Sequence, residues 1–313
     1  MISIRKAGVQ TTVQDLGRVG WRHLGVAQCG ALDAPSLMLA NKLVGNPFDA
    51  AGLEIVIGVV EIEFHRDSWL ALCGANFGAQ LDGKPLAKAW RHRALAGQIL
   101  RLNGAQKEAR TYLAIDGGIN VNVELGSRST DLQAGFGGGL GRALQRGDQL
   151  PLGAPCHFDC ILGVQQRVWT PEIRALPGPE INHFSAQEQK GFWQHAWKLS
   201  PQSNRMGARL LGQALHRQTM EDMLSHAVLP GVVQVPPNGL PIVLLADAQT
   251  TGGYPRIACV IEADLWKLAQ TPVGSSFCFI EVNHATALSA QEKWEQELRR
   301  LDWAPACQPR PLL

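Results

Sequence analysis

The chain has 313 residues, a formal net charge of +2, 45% apolar residues and 18% charged residues. This composition is typical of an ordered globular protein and excludes a largely disordered chain. A chain of this length usually folds as two domains. The seven cysteines lack the spacing of a disulfide scaffold, and no stretch approaches 18 apolar residues. We therefore expect reduced thiols, a cytoplasmic location and no membrane partner.

Basic residues are too scattered to indicate a polyanion partner. The short cluster Arg91–Arg93 is the densest group of positive charge, and we interpret it as a solvated surface turn. It lacks the length and the aromatic neighbours of a nucleic-acid-binding stripe, so we expect no nucleic-acid partner.

Short strands separated by glycine-containing turns dominate the predicted secondary structure. The strands are predicted within Leu53–Phe64 and at Trp69–Leu72, Ile99–Leu102, Thr111–Ile115, Val232–Val235, Ile242–Leu245, Ile257–Ile261 and Phe277–Val282. Helices are predicted at Pro35–Val44, from a capping box at Ser185, and from a second Ser-x-x-Glu pattern near Ser289. Many short strands and few helices predict a mainly β protein built from barrels or sandwiches.

A loss of periodicity between Leu152 and Val168 predicts the boundary between two domains. We place it near residue 165, which gives an N-terminal domain of residues 1–165 and a C-terminal domain of residues 166–313. The second domain is expected to end with the terminal helix.

The segment Leu229–Ile261 combines strand patterns with an unusual number of uncharged polar side chains. These are Gln234, Asn238, Gln249, Thr250, Thr251 and Tyr254. Asp247 and Arg256 supply the charges near its centre. Amides and hydroxyls between buried strands cost stability unless they find a partner. The segment therefore predicts a site for a ligand that carries an amide or a carboxylate.

Three further segments place hydroxyl, amide and guanidinium groups on turns. They are Thr11–Arg18, Ser127–Asp131 and Ser203–Arg209. Within them, Arg128, Arg205 and Arg209 are candidates for holding a carboxylate or phosphate through two parallel hydrogen bonds. Structural ion pairs that pin the turns are an equally open interpretation for each arginine.

Several common catalytic motifs are absent from the sequence. There is no phosphate-binding loop of the Gly-x-x-x-x-Gly-Lys-Ser/Thr type and no Gly-x-Ser-x-Gly elbow. The glycine-rich stretch Gly135–Gly141 does not have the spacing of a dinucleotide site, and we interpret it as a tight loop. The pattern Cys156-His157-x-x-Cys160 lacks a second ligand pair, so we expect no metal site.

Read in order, these blocks resemble a known family. TTVQDLGRVGWRHLGVAQCGALD, LGSRSTDLQAGFGGGLGRALQRGD and VVQVPPNGLPIVLLADAQTTGGYPRIA are similar to the family of 5-oxoprolinase C-subunits. The family is also described as KipA-like or allophanate hydrolase subunit 2-like, and it is related to the carboxyltransferase part of urea carboxylase. The resemblance runs from about Thr11 to Glu281. It implies two cyclophilin-like β-barrel domains.

The resemblance also implies a function and partners. Proteins of this family are expected to act with a KipI-like B-subunit and a LamB/YcsF-like A-subunit, cleaving 5-oxo-L-proline to L-glutamate with hydrolysis of ATP. Because the chain lacks a phosphate-binding loop, we expect ATP, with any Mg²⁺ attached to it, to be held wholly or partly by a partner.

Residue types within the matching blocks suggest individual roles. Predicted catalytic residues are Asp247, Arg205 and Gln249. Predicted substrate-binding residues are Arg209, Asn204, Gln234, Asn238, Thr250, Thr251, Tyr254, Arg128 and Arg18. In this hypothesis the arginines hold a carboxylate or phosphate, and the amides hold the lactam.

Two alternative functions remain open. By likeness to urea carboxylase, the chain could transfer a carboxyl group from carboxybiotin. The biotin would then be carried by another chain, since no Ala/Val-Met-Lys-Met sequence occurs here. The other alternative is a non-catalytic regulatory module that binds the KipI-like partner.

Overall fold

The computed structural model describes residues 1–218 and 223–303. The described residues form a mainly β structure with four α-helices, which confirms the predicted fold class. The helices are α1 (Ala34–Leu43), α2 (Ala186–Gln194), α3 (Leu265–Gln270) and α4 (His284–Trp303). No helix in this described part is both long enough and apolar enough to cross a membrane.

The chain forms two compact units. Of the described residues, unit 1 contains Met1–Arg18, Cys29–Val168 and residues 298–303, and unit 2 contains those of Val19–Gln28 and Trp169–Glu297. The main division falls after Val168, and the sequence places it near residue 165. Two segments belong to a different unit from the domain in which the sequence places them. A ten-residue excursion from the N-terminal half belongs to unit 2, and the end of α4 belongs to unit 1.

Unit 1 consists of two antiparallel sheets around one core. Its strands are β1 (Ile2–Ala7), β2 (Thr11–Gln14), β3 (Gly52–Ile55), β4 (Val60–Phe64), β5 (Ser68–Gly74), β6 (Gln80–Leu81), β7 (Lys84–Pro85), β8 (Arg91–Ala94), β9 (Ile99–Leu102), β10 (Thr111–Ile115) and β11 (Gln149–Leu150). One sheet has the order β11-β1-β4-β9-β6-β7 and the other has the order β2-β3-β10-β5-β8.

Alternation along the strands places apolar side chains of both sheets in the same core. In the first sheet Ile2 lies opposite Phe64, and both are fully buried. Leu53 and Leu113 lie opposite each other in the second sheet and join that core. Fully burying a side chain of this size contributes about 1.5–3 kcal/mol. Helix α1, capped by Asp33, packs on the outer face of β5 and β10.

Unit 2 contains a closed barrel. The strands of unit 2 are β12 (Glu172–Pro177), β13 (Trp197–Leu199), β14 (Gly207–Leu211), β15 (His226–Ala227), β16 (Val232–Gln234), β17 (Ile242–Leu244), β18 (Thr251–Gly252), β19 (Arg256–Val260) and β20 (Ser276–Glu281). The barrel order is β12-β19-β16-β17-β14-β13-β20, and β15 pairs with β18 as a separate ribbon. The pairing of β12 with β20 is parallel, and the other barrel pairings are antiparallel.

The predicted elements that depend on local signals are mostly confirmed. The strands predicted at Ile99–Leu102 and Thr111–Ile115 have the predicted bounds. Ser185 caps α2 by accepting a hydrogen bond from the backbone N–H of Glu188. The segment Leu53–Phe64 forms two strands rather than one, since a turn around Gly58 separates β3 from β4.

Two expectations were wrong in detail, and one helix was missed. Helix α4 begins at His284 and not near Ser289, because the Asn283 side chain accepts the backbone N–H of Thr286 (2.9 Å) and starts the helix earlier. Helix α3 was not predicted. Arg91 does not lie in a solvated turn: it is 1% exposed in β8, and its guanidinium carbon lies 3.6 Å from the Phe158 ring centroid.

Candidate functional site

Two of the predicted polar segments meet in unit 1. Thr11–Arg18 comprises β2 and the turn after it. Ser127–Asp131 runs beside this segment, with the backbone N–H of Thr130 donating to the carbonyl of Val13 (2.9 Å). We call the side chains gathered here the Asp15 cluster. It comprises Gln14, Asp15, Arg18, Ser127, Ser129 and Thr130. All six residues are buried.

The Asp15 carboxylate is the centre of this cluster. It accepts hydrogen bonds from the hydroxyls of Ser127 and Ser129 (both 2.6 Å) and from the backbone N–H groups of Arg128 (2.5 Å) and Gly17 (2.8 Å). Several donors of this kind stabilise a buried carboxylate without a cation. Asp15 therefore fastens the two segments together, and the site's geometry depends on it.

The two predicted binding arginines of unit 1 differ in their contacts. Arg18 is fully buried; its Nη2 donates to the carbonyl of Ser129, and its guanidinium carbon lies 4.4 Å from the Phe136 ring centroid. Arg128 is half-buried, and its Nε donates to the carbonyl of Val121 (2.9 Å). Arg18 thus belongs to the cluster, whereas the Arg128 side chain turns to a neighbouring loop.

In unit 2, the predicted catalytic residues Arg205 and Asp247 form a buried ion pair. Arg205 donates from Nε (2.9 Å) and Nη2 (2.8 Å) to the two carboxylate oxygens of Asp247. The side chains are 3% and 2% exposed. The backbone N–H of Asp247 also donates to the Arg205 carbonyl (3.1 Å). This bidentate ion pair joins the turn before β14 to the turn after β17. We call the turn after β17 (residues 245–250) the Asp247 turn.

Residues on either side of Arg205 shape its turn. The Asn204 side-chain oxygen accepts the backbone N–H groups of Met206 (2.9 Å) and Gly207 (3.2 Å). Asn204 and Arg209 are both exposed. The structure therefore places Arg209 within reach of a ligand from solvent, and Asn204 in a turn-forming position.

Four uncharged polar residues between positions 249 and 254 lie wholly or partly at the surface. Gln249, Thr251 and Tyr254 are exposed, and Thr250 is half-buried. Gln234 is 2% exposed, and its side-chain nitrogen lies 3.4 Å from the carbonyl oxygen of Tyr254. Gln234 and the Tyr254 backbone are therefore neighbours in space, although 20 positions separate them in the chain.

Asn238 lies in a different turn from the other predicted amides. Its side-chain oxygen accepts the backbone N–H of Leu240 (3.1 Å), and the backbone N–H of Gly239 donates to the carbonyl of Pro236 to close the turn.

Unit 1 has a surface groove of about 1020 Å³, lined by Lys6, Gly58 and Arg146 among others. This groove contains none of the predicted site residues.

Arg22 is a component of unit 2 that the sequence analysis missed. Its Nη2 donates to the carbonyls of Val228 (2.7 Å) and Gln249 (3.1 Å), and burial lowers the pKa of its guanidinium. It therefore ties the excursion Val19–Gln28 to the Asp247 turn within unit 2. A contact between residues more than 200 positions apart leaves no signal in a local pattern.

Metal and phosphate sites have distinct requirements in side chains and backbone. In residues 1–218 and 223–303, no group of three or more His, Cys, Asp or Glu side chains is placed to hold a metal ion. In the loop Gly135–Gly141, the backbone N–H of Gly138 donates to the carbonyl of Arg128 (3.1 Å) and that of Gly141 donates to the carbonyl of Gly137 (2.8 Å). These two N–H groups are therefore already engaged within the chain.

Comparison with known proteins places the chain in a family. A family model described as "Carboxyltransferase domain, subdomain A and B" matches residues 24–281. The chain is 50% identical over 304 residues to the 5-oxoprolinase C-subunit of Escherichia coli (strain K12), covering 97% of this chain and 98% of that protein. It is 41% identical over 304 residues to the 5-oxoprolinase C-subunit of Haemophilus influenzae, covering 96% and 98%.

A solved structure supports the same placement. The urea carboxylase of Kluyveromyces lactis is similar with a TM-score of 0.89 and 26% identity. The match covers 99% of this chain and 30% of that chain, so this protein spans less than a third of the larger one. The family match and the identity along the whole length show that this chain belongs to the family of 5-oxoprolinase C-subunits, among the carboxyltransferase-domain proteins.

Proposed function

We propose that this chain is one component of an ATP-dependent 5-oxoprolinase, which cleaves 5-oxo-L-proline to L-glutamate together with a KipI-like B-subunit and a LamB/YcsF-like A-subunit. The observation that carries the proposal is the 50% identity to the Escherichia coli 5-oxoprolinase C-subunit over 97% of this chain. We also propose that the complex works in the cytoplasm, where the seven cysteines would remain reduced.

The chemistry of the reaction defines what the protein must supply. The lactam of 5-oxoproline is a resonance-stabilised amide that opens slowly at neutral pH. As a co-substrate, ATP supplies a phosphoryl group that turns the lactam oxygen into a leaving group. Positioning of the small ligand and stabilisation of developing charge are the remaining requirements. Neutral hydrogen-bonding side chains can position the ligand, and a buried arginine can stabilise negative charge.

Exposed side chains of the Asp247 turn and of the chain that follows it are the candidates for contact with the lactam. The Gln249 amide has both a donor and an acceptor, which match the lactam carbonyl and N–H. Thr251 and Tyr254 add hydroxyls nearby in the chain. The buried Arg205–Asp247 pair holds the turn in place. Direct catalytic roles for these two residues require the pair to open, so we propose positioning as their main contribution.

We propose that a partner protein holds the phosphates of ATP and the Mg²⁺ bound to them. This proposal is supported by the lack of a Gly-x-x-x-x-Gly-Lys-Ser/Thr sequence. In the glycine loop Gly135–Gly141, the N–H groups of Gly138 and Gly141 already donate to carbonyls of this chain. No step of the reaction is therefore assigned to ATP on this chain.

Reconstitution tests the proposed function. The three proteins are mixed with 5-oxoproline, ATP and Mg²⁺, and glutamate and ADP are measured while each protein is omitted in turn. We expect release of both products only when this chain is present. Equal glutamate formation without it would contradict the proposal.

A substitution pair tests the role of the Asp247 turn. Gln249→Ala is expected to lower kcat/KM for 5-oxoproline about tenfold, because one hydrogen bond to the ligand is lost. Gln202→Ala is the matched control, since Gln202 is also an exposed glutamine of unit 2. Equal kinetics of the two variants would remove Gln249 from the site.

Carboxyl transfer from carboxybiotin is a second candidate function. It is favoured by the carboxyltransferase family match over residues 24–281. The biotin would be carried by a separate protein. Recovery of biotinylated protein with this chain, together with ATP- and bicarbonate-dependent carboxylation in the recovered complex, would support this function in place of the oxoprolinase.

A further inference from the structure

The guanidinium of Arg18 is buried in unit 1 without a full set of partners. It is 0% exposed, and within the described residues Nη2 is its one nitrogen with a hydrogen-bond acceptor, the carbonyl of Ser129. Nε and Nη1 are buried and have no partner in that same part of the chain. No carboxylate of the described chain lies within 4.0 Å of it, even though Asp15 belongs to the same cluster.

Arg91 shows how the same unit satisfies a buried arginine that serves the fold. It is 1% exposed, and all of its guanidinium nitrogens donate to backbone carbonyls: Nε (3.2 Å) and Nη2 (3.0 Å) to Cys160, and Nη1 (3.2 Å) to Leu43. Both arginines stack on an aromatic ring. The difference is therefore in the hydrogen bonds. A buried cation with missing acceptors is costly, and such a group calls for an explanation.

A second buried group in the Asp15 cluster also lacks a partner. The Gln14 side-chain nitrogen donates to Thr12 (3.1 Å) and to the carbonyl of Thr130 (3.2 Å), whereas its oxygen has no partner in the described chain. The cluster thus offers donors at Arg18 and an acceptor at Gln14. A ligand with carboxylate oxygens and an N–H group complements this set.

Resting on the proposed function, we propose that the guanidinium of Arg18, whose Nε and Nη1 groups have no partner in the described chain, anchors the carboxylate of 5-oxoproline. A carboxylate fits better than a phosphate, because the Asp15 and Asp131 carboxylates of the same region are buried and would oppose a dianion. The assignment also differs from the predicted role of Arg205, whose Nε and Nη2 already hold Asp247.

The glycine loop Gly135–Gly141 packs directly against Arg18. A Cβ atom at Gly137 would overlap both the Arg18 Nη2 and the Ser129 carbonyl oxygen, so the loop lies directly against the guanidinium. Five of the residues in Gly135–Gly141 are glycines with positive φ. Such a loop can adopt other conformations at little steric cost. Because Arg18 is fully buried, binding of a carboxylate requires this loop to move aside.

The experiment compares two lactams, 5-oxoproline and 2-pyrrolidinone, which lacks the carboxylate. In the reconstituted complex, 5-oxoproline is used as substrate, and 2-pyrrolidinone is titrated as a competitor of turnover. We expect Arg18→Met to raise KM for 5-oxoproline about tenfold to a hundredfold, since a charge-assisted pair is lost. The inhibition constant of 2-pyrrolidinone should stay unchanged. Arg146→Met, at an exposed arginine of unit 1, is the control.

Thermal unfolding of the full chain separates binding from a structural role. If Arg18 serves a ligand, Arg18→Met should unfold at the wild-type temperature or above it, as replacement of a buried unpaired charge by an apolar group removes a penalty. Arg91→Met should unfold at a lower temperature, because satisfied hydrogen bonds are lost. An Arg18→Met variant that is destabilised like Arg91→Met, with unaltered KM, would overturn the proposal.

Two further outcomes distinguish the sources of failure. A rise in KM for ATP instead of 5-oxoproline in Arg18→Met would assign Arg18 to a phosphate and overturn the carboxylate assignment. If the complex hydrolyses no 5-oxoproline at all, binding decides: a rise in the wild-type unfolding temperature with 5-oxoproline but not with 2-pyrrolidinone or inorganic phosphate, absent in Arg18→Met, would support Arg18 while the proposed function fails. If the wild-type unfolding temperature does not rise with 5-oxoproline, the Arg18 assignment and the proposed function are both overturned.

Discussion

Arg18 in unit 1 and Arg205 in unit 2 are both almost completely buried, at 0% and 4% exposure, and the sequence suggested a role at the substrate for both. Their surroundings differ. Arg205 faces Asp247 through two parallel hydrogen bonds of 2.9 and 2.8 Å. Arg18 faces an aromatic ring and one carbonyl, and two of its nitrogens have no acceptor in the described chain.

This difference separates positioning from binding. A buried arginine that is fully paired fixes two chain segments and has little capacity left for a ligand. A buried arginine that lacks acceptors destabilises the free protein, and a bound anion can offset that penalty. Functional groups are commonly held in such locally unfavourable states, with loss of stability as the consequence. Replacing the two arginines by apolar residues should therefore have opposite effects on stability.

The largest effect is expected at the paired arginine. Asp247→Ala removes the carboxylate that accepts two hydrogen bonds from the buried, charged Arg205, and should lower the free energy of unfolding by about 3–5 kcal/mol. Chemical denaturation of the purified chain measures this. Arg205→Ala should cost a similar amount, so loss of activity in that variant would not by itself identify a substrate contact.

A double variant checks that the loss comes from the broken pair. Arg205→Met combined with Asp247→Leu removes both charges and should recover most of the stability lost in Asp247→Ala. If the double variant is as unstable as the single one, the ion pair is not the cause. In that case the contrast with Arg18 loses its physical basis.

A smaller effect is expected in the loop that covers Arg18. Gly137→Ala forces an alanine into positive φ (+73°) and places its Cβ against Arg18 and Ser129. Gly135→Ala meets the same φ problem (+74°), but nothing lies within 4 Å of its Cβ. The control should lose about 1 kcal/mol from backbone strain alone, and Gly137→Ala should lose at least about 2 kcal/mol.

Denaturation curves of these two loop variants decide the point. Equal losses at Gly137 and Gly135 would show that the loop does not press on the guanidinium. In the reconstituted enzyme, Gly137→Ala should also lower KM for 5-oxoproline, because it destabilises the loop position that covers Arg18. Gly135→Ala should leave KM close to the wild-type value.

Elements that depend on local patterns could be predicted from the sequence. The bounds of β9 and β10 follow from short, mostly apolar runs between glycine-containing turns, and Ser185 marked the start of α2 because a cap is a local interaction. Helix α3 could not be recognised. It has six residues, and a short apolar run has the same appearance in a buried helix as in a strand.

The sites were predictable in composition but not in arrangement. Both halves of the Asp15 cluster were identified as polar turns, yet the bond between the Asp15 N–H and the Ser129 hydroxyl joins residues 114 positions apart. Such a contact depends on the order of strands in the sheet. Likewise, the sequence could not show that Arg205 is paired with Asp247, or that Arg22 donates a hydrogen bond to the carbonyl of Gln249. Residue type suggested ligands; only the fold distinguishes paired groups from those without partners.

The pair Arg256–Glu180 of unit 2 provides a reference between the two buried arginines. It is partly exposed (25% and 13%), and Arg256 Nε donates to Glu180 at 2.7 Å. This hydrogen bond lowers the pKa of Glu180 from its ordinary value of 4.5, although partial burial opposes the shift. Because the folded-state pKa lies below the unfolded one, the pair stabilises fully above pH 4.5, and the stabilisation disappears as pH falls through the folded-state value.

Glu180→Gln is therefore expected to lower the free energy of unfolding by about 1 kcal/mol at neutral pH, less than Asp247→Ala, because solvent screens the pair. Denaturation between about pH 7 and pH 3 should show this difference from wild type shrinking on acidification. Glu281→Gln, an exposed position of the same unit, should stay within about 0.5 kcal/mol of wild type throughout. The effect of removing the carboxylate charge must disappear once the wild-type carboxylate is itself protonated. A stability difference at Glu180 that did not change with pH would therefore mean that the Arg256 contact acts through packing.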